Sequence, residues 1–267
     1  MEYLIVANGP FIAKSILQEI AGNKILVALD GAADQLRERG MNPDIIIGDL
    51  DSIDDLAYYR QSYQPICWDP VNFKALSSLI LSKKKLLIQA TDQNNTDLQK
   101  AIQFCDQMSI KPEAIHIVCA LGGRIDHEQS NQRDLRTFYQ PHRPIFLHTE
   151  YQSLFFTSAI KNLQIKGLHQ DYCGIFGSPW AKMNVHYGLV YDGALPASHD
   201  GYELFSSHDS SSNQIVGNRG ALVDIEGHAL IVQPPMFHAQ RKFIAKSRCE
   251  QLQELLNDIH IAKSALL

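Results

Sequence analysis

Asp44-Ile45-Ile46-Ile47-Gly48-Asp49-Leu50-Asp51-Ser52, residues 44–52, decides how the first half of this chain is read. Consecutive β-branched residues bounded by polar ones read as a strand buried on both faces, here running into an acidic tail. Four other runs have the same form: Tyr3 to Ala7 into Asn8-Gly9, Ile25 to Leu29 into Asp30-Gly31, Leu86 to Ala90 into Thr91-Asp92, and Ile115 to Ala120 into Gly122-Gly123-Arg124-Ile125-Asp126-His127. Ligands of open α/β sheets bind outside the carboxyl ends of the strands, so these tails are expected to converge on one crevice. Carboxylates, a glycine pair and an arginine together suit a divalent cation carrying a polyphosphate, because magnesium is commonly shared between carboxylates and phosphate oxygens.

The acids have simpler readings that must be weighed. Ser52 could cap a helix beginning at Ile53, and Thr96 with Gln99 fits a capping box, with Asp97 favouring the helix dipole. Capping does not account for Asp49 and Asp51, which follow a strand at i and i+2 and repel unless a cation or proton lies between them. Gly122-Gly123 lets the backbone approach a phosphate closely, with Arg124 as a charge-assisted donor. Neither G-x-x-x-x-G-K-[ST] nor G-x-G-x-x-G is present, which excludes a P-loop and a typical dinucleotide fingerprint. His116 and His228 lack partner spacing and read as structural.

The texture of the chain changes near residue 142. Before it, apolar runs alternate with helical patterns such as Thr96 to Met108, implying a mostly parallel sheet. After it, short strand-like pieces follow one another: 145–148, 153–157, 159–165, 172–176, 183–191, 201–205, 221–225 and 229–233. Such spacing predicts an antiparallel sandwich of jelly-roll type. Beyond Phe237, Leu252, Leu255, Leu256 and Ile259 fall at helical spacing and predict a terminal helix. The expected layout is an α/β domain over 1–142, a β-sandwich over 143–235 and a helical extension over 236–267.

A chain of 267 residues with 45% hydrophobic and 20% charged content is expected to be globular. Its net charge of −5 argues against a general nucleic-acid surface. The five scattered cysteines lack C-x-x-C spacing, which points to a reducing, cytoplasmic setting. No signal-like segment precedes the strand at Tyr3, and no apolar run reaches the ~20 residues that would span a bilayer.

Taken in order, ALDGAAD (28–34), PDIIIGDLDSI (43–53), DQNNTDLQKAI (92–102), ALGGRIDHEQSN (120–131) and SSN (211–213) resemble the thiamine pyrophosphokinase family, over about Ile5 to Gln233. The resemblance implies an α/β catalytic domain, a β-sandwich, a homodimer, and magnesium-dependent transfer of a pyrophosphoryl group from ATP to thiamine with release of AMP. It implies Asp49, Asp51 and Asp97 as metal ligands. Asp30, Gly31, Asp92, Gln93, Thr96, Lys100, Gly122, Gly123, Arg124, Asp126 and His127 would line the nucleotide and substrate crevice. Tyr191, Ser212 and Asn213, with Asp97, would meet thiamine, in a site shared between subunits; Tyr191 stands where many relatives have tryptophan. Arg124 and Lys100 would offset charge as AMP leaves, and Asp97 or Asp126 would accept the hydroxyl proton.

The chain departs from the family pattern in three places. The stretch between Ser52 and Asp92, containing Trp68 to Lys85, is long and suggests an inserted helix or lid. Glu128-Gln129-Ser130 replaces more apolar residues, and the helix after Phe237 has no counterpart in short members. Two other classes remain open from sequence. DLDSI resembles the nucleophile motif of haloacid dehalogenase phosphatases, with Asp49 as nucleophile, although Ile53 replaces Thr or Val. The other is a non-catalytic nucleotide or thiamine sensor.

Overall fold

The computed structural model describes residues 1–68, 85–90, 92, 94–108, 111–178, 181–190, 202–203 and 213–242. The elements of the first half are β1 Glu2–Val6, α1 Lys14–Ala21, β2 Ile25–Leu29, α2 Ala32–Glu38, β3 Ile45–Gly48, α3 Leu56–Ser62, β4 Gln64–Cys67, β5 Leu86–Gln89, α4 Asp97–Gln107, β6 Ala114–Val118, α5 Ile125–Thr137 and β7 Ile145–His148. The strands β8 Ser153–Ile165, β9 Tyr172–Gly177, β10 Lys182–Tyr187, β11 Tyr202–Glu203, β12 Asn213–Gln214 and β13 Ala221–Gln233 follow.

Neighbouring strands in the order β7-β6-β1-β2-β3-β5-β4 pair in parallel. Both faces of this sheet are covered, which is why its central strands are mostly apolar. On one face Ile5, Ile45, Ile47 and Ile117 pack with Leu98, Ala101, Ile102 and Cys105 of α4. On the other, Leu4, Val6 and Ile46 pack with Ile16, Leu17 and Ile20 of α1 and Ala32, Ala33 and Leu36 of α2. The chain reverses its direction of travel across the sheet at β1, whose neighbours are β2 on one side and β6 on the other. A ligand crevice is expected there, at the carboxyl ends.

β4 pairs with β5 at the sheet edge, where Pro65 is tolerated because its missing N–H faces no neighbour. The lid or helix expected around 61–85 falls mostly on residues 69–84, outside the described residues.

Parallel pairing continues through β7, past the change of texture at 142, and turns antiparallel between β7 and β8. The antiparallel strands expected there are present, but they continue the parallel sheet by hydrogen bonds. They enclose their own core around Ile175, Met183, Val223, Ile225 and Ile231. The pieces 153–157 and 159–165 are one strand, and so are 221–225 and 229–233. The register between them shifts from Ile225 opposite Ile160 to His228 opposite Ser158, with Ala159 at φ 44° and Gly227 at φ 82°. These residues form bulges that bend paired strands; they do not end them.

After β13, Phe237 packs edge-on against His148, with ring centroids 5.2 Å apart, and residues 238–242 are helical. Glu19 of α1 accepts the His238 N–H at 3.1 Å, and Arg241 meets Asp171 at 2.9 Å. The remainder of the expected terminal helix, 243–267, lies outside the described residues.

The tails of β1 and β6 meet backbone to backbone: the Gly9 N–H donates to Cys119 O at 3.1 Å, and a Cβ at Gly9 would stand 2.3 Å from that oxygen. Neither partner is a flexible side chain, so Gly9→Ala should destabilise the protein by about 2 kcal/mol or more. Urea denaturation reads this directly, and unchanged stability would show that the two tails do not touch.

Candidate active site

Three strand tails turn sharply. Asp30 after β2 has φ 45°, Leu50 after β3 has φ 69° and Cys119 after β6 has φ 59°, left-handed values that residues with side chains adopt only when their surroundings hold them. Gly48 leaves the room for Asp30, since a Cβ there would lie 3.0 Å from the Asp30 Cβ. Asp30 is only 4% exposed. Its Oδ2 accepts the Ser52 N–H at 3.2 Å, while its Oδ1 is buried without a hydrogen-bond partner.

One helical turn later, Asp34 accepts the Asp54 N–H at 2.8 Å. Two carboxylates from the β2–α2 segment thus pin the loop after β3, which carries Asp49 and Asp51. Ser52 is not a helix cap as sequence suggests. Helix α3 starts at Leu56, capped by Asp55, which accepts the Tyr58 N–H at 3.1 Å; the Ser52 N–H is instead held by Asp30.

Carboxylate oxygens of Asp30, Asp49 and Asp51 lie within 4.8 Å of one another. Burial raises the Asp30 pKa from 3.8 to about 6; the Ser52 hydrogen bonds oppose the rise, and the charges of Asp97 and Asp49 add to it. A buried oxygen without a donor beside two further carboxylates fits a hard divalent cation.

Asp97 does not belong to this trio, although the resemblance makes it a metal ligand. Its Oδ1 accepts from the Lys100 ammonium at 3.0 Å, and Lys100 is itself buried. The capping box is present: Thr96 Oγ1 accepts the Gln99 N–H at 3.3 Å, and Gln99 Oε1 accepts the Thr96 N–H at 3.2 Å. Asp92 organises the preceding turn, accepting from Asn94 N at 2.9 Å and from Asn95 Nδ2 at 2.6 Å, which holds its carboxyl below the usual range.

Across the crevice, Arg124 precedes α5 and clasps Asp126 with two hydrogen bonds of 3.2 and 2.6 Å, which lowers the Asp126 pKa. The Gly122 N–H donates to Glu128 Oε1 at 2.8 Å, and His127 is exposed on the first turn of α5. Both donors suited to a phosphate are thus held by carboxylates of the first turn of α5.

Gly31 precedes α2, where a Cβ would meet Ser52 O at 2.7 Å. Asn213 pairs with Cys173 between β12 and β9 and is fully buried. Gln93, Tyr191 and Ser212 lie outside the described residues. Asp34 has no role in the sequence motifs and gains one only in the fold. Its signal was an acid four residues after Asp30, a like-charge spacing that disfavours a helix unless something else uses it.

The folded-state pKa of Asp30 lies above the ordinary 3.8, so between about pH 4 and 6 the folded protein binds more protons than the unfolded chain. Stability contributed by this group is therefore full below pH 4 and lost as pH rises through 6. With a chelator present, wild type should lose about 3 kcal/mol relative to Asp30→Asn across that window, and magnesium at pH 7 should restore it. Parallel pH profiles of the two proteins would contradict this.

Residues 16–147 match the family model described as "Thiamin pyrophosphokinase, catalytic domain", which ends within β7. Thiamine pyrophosphokinase 3 of Oryza sativa subsp. japonica is 28% identical over 159 residues, covering 55% of this chain and 51% of the rice protein. The match thus spans about half the length of that relative. The thiamine pyrophosphokinase of Bacillus subtilis superposes with a TM-score of 0.64 at 18% identity, covering 89% of this chain and 100% of that one. That of Candida albicans gives 0.62 at 20% identity, covering 88% and 89%. These structures share the mixed α/β fold. Over residues 16–147, just under half of its length, this chain is thus similar to the catalytic domain of the thiamin pyrophosphokinase family.

Proposed function

We propose that the protein transfers the pyrophosphoryl group of ATP to the hydroxyl of thiamine, giving thiamine diphosphate and AMP. The observation that carries this reading is the convergence of Asp30, Asp49 and Asp51 at the carboxyl edge of a family-matched domain, the edge at which the glycine-arginine loop also follows β6. Asp30, Asp49 and Asp51 would hold magnesium, which when bound polarises phosphate oxygens and neutralises their charge.

The protein's own groups supply the rest by position and charge. Arg124 exchanges its clasp on Asp126 for phosphate oxygens, and the Gly122 N–H exchanges Glu128 for another. Each donor trades one anionic partner for another, so binding leaves none unpaired. Lys100 adds a buried positive charge beside the leaving phosphates. Asp97, close enough to Asp30 to raise its pKa, is the candidate acceptor for the thiamine proton through Oδ2, because Lys100 engages Oδ1. The acids together favour the thiazolium cation.

A homodimer in which residues 143–235 meet thiamine bound against residues 1–142 of the partner completes the reading. Burial of Asn213 within its own chain gives that residue a supporting place behind the surface. The free cysteines Cys67, Cys105, Cys119 and Cys173 support a reducing, cytoplasmic setting. Among the described residues no helix is long and apolar enough to cross a membrane.

Incubation with magnesium, ATP and thiamine should yield AMP and thiamine diphosphate in equal amounts. ADP with thiamine monophosphate, or a phosphoenzyme on Asp49, would refute this reading. Asp51→Asn should lower turnover at least about 100-fold while the fold persists, as read by circular dichroism.

A further inference from the structure

Asp134 lies three residues beyond the last motif residue, in the third turn of α5, and is only 1% exposed. Its Oδ1 accepts from Gln99 Nε2 at 2.9 Å, and its Oδ2 is buried without a hydrogen-bond partner. A carboxylate is costly to bury in this way, and burial raises its pKa. A leucine would pack at the same place without that cost.

What the acid secures is the orientation of one amide. Gln99 has a single side-chain amide, and its two ends do different work. The oxygen accepts the Thr96 N–H and closes the capping box, while the nitrogen must find an acceptor. With Asp134 in place the amide has one satisfied orientation. The turn it fixes, residues 96–100, carries both Asp97 and Lys100. Arg124 caps helix α5 and Asp126 stands in its first turn, so the Gln99–Asp134 bond joins the two helices whose first turns carry Asp97 with Lys100 and Asp126.

We propose that Asp134 is a positioning residue, which through Gln99 fixes the first turn of α4 and so places Asp97 and Lys100 against the bound nucleotide and thiamine. It rests on the activity proposed above only for its kinetic readout. The positioning itself is read separately, by amide hydrogen exchange of residues 97–100.

The test reverses the polarity of the bond. Gln99→Glu keeps an acceptor for the Thr96 N–H but sets two carboxylates face to face, whereas the double variant Gln99→Glu/Asp134→Asn lets the new amide donate to the new carboxylate. Gln99→Glu and Asp134→Leu should each speed exchange at 97–100 and lower kcat/KM about tenfold. Asp134→Asn, which keeps the acceptor, and the double variant should restore both to within about threefold of wild type. Unchanged exchange in Gln99→Glu, a double variant no better than Gln99→Glu, or altered exchange with unaltered kcat/KM would each overturn the proposal. If Asp134→Leu fails to fold, the Gln99→Glu pair still decides it. A wild type without turnover would refute the activity instead, and the exchange experiment would then decide the positioning alone.

Discussion

Mutual repulsion among Asp30, Asp49 and Asp51 is the constraint on which the rest of the site depends. Their oxygens are held within 4.8 Å of one another by a backbone that offers few donors in return. Chains do not gather charge in this way by default, because each ionised neighbour makes the next costlier. Here the proximity is enforced from the backbone. Left-handed turns at Asp30 and Leu50 point the tails inward, Gly48 clears space, and Asp30 and Asp34 clamp the Ser52 and Asp54 amides. The fold holds a negative pocket open, and a cation with phosphates is the natural complement.

The sheet makes this arrangement rigid. Parallel strands buried on both faces cannot slide, since a shift by one residue would exchange the packing faces of Ile45, Ile46 and Ile47. The tails of β1 and β6 touch through Gly9 and Cys119, so the start of the glycine-arginine loop is fixed relative to the β1 tail by backbone contact. The charged side chains across the crevice are paired among themselves, Arg124 with Asp126 and Lys100 with Asp97. A phosphate ligand would therefore enter by partner exchange, which makes the site's electrostatics sensitive to small displacements of α4 and α5.

Much of this was legible in the sequence because buried parallel strands write themselves as unbroken β-branched runs, and Asp49-Leu50-Asp51 carries a repulsion that local structure does not explain. Other features were hidden for physical reasons. Asp97 reads as a ligand beside Thr96, and its ion pair with Lys100, one turn on, is a contact that this motif does not report. Asp30 is the third acid because the β2 tail lies beside the β3 tail, a neighbour relation in space that local spacing does not report. Strands β8 and β13 looked broken because Ser158-Ala159 and Glu226-Gly227 suit turns as well as bulges. Pro65 concealed β4, since proline argues against a strand everywhere except at an edge.

The central claim is that Asp30, with Asp49 and Asp51, forms a divalent-cation site, and manganese binding followed by electron paramagnetic resonance tests it most directly. The account predicts saturable binding by the wild type that is lost in Asp30→Asn, Asp49→Asn and Asp51→Asn and retained in Asp97→Asn. Binding that survives Asp30→Asn but is abolished by Asp97→Asn would contradict it.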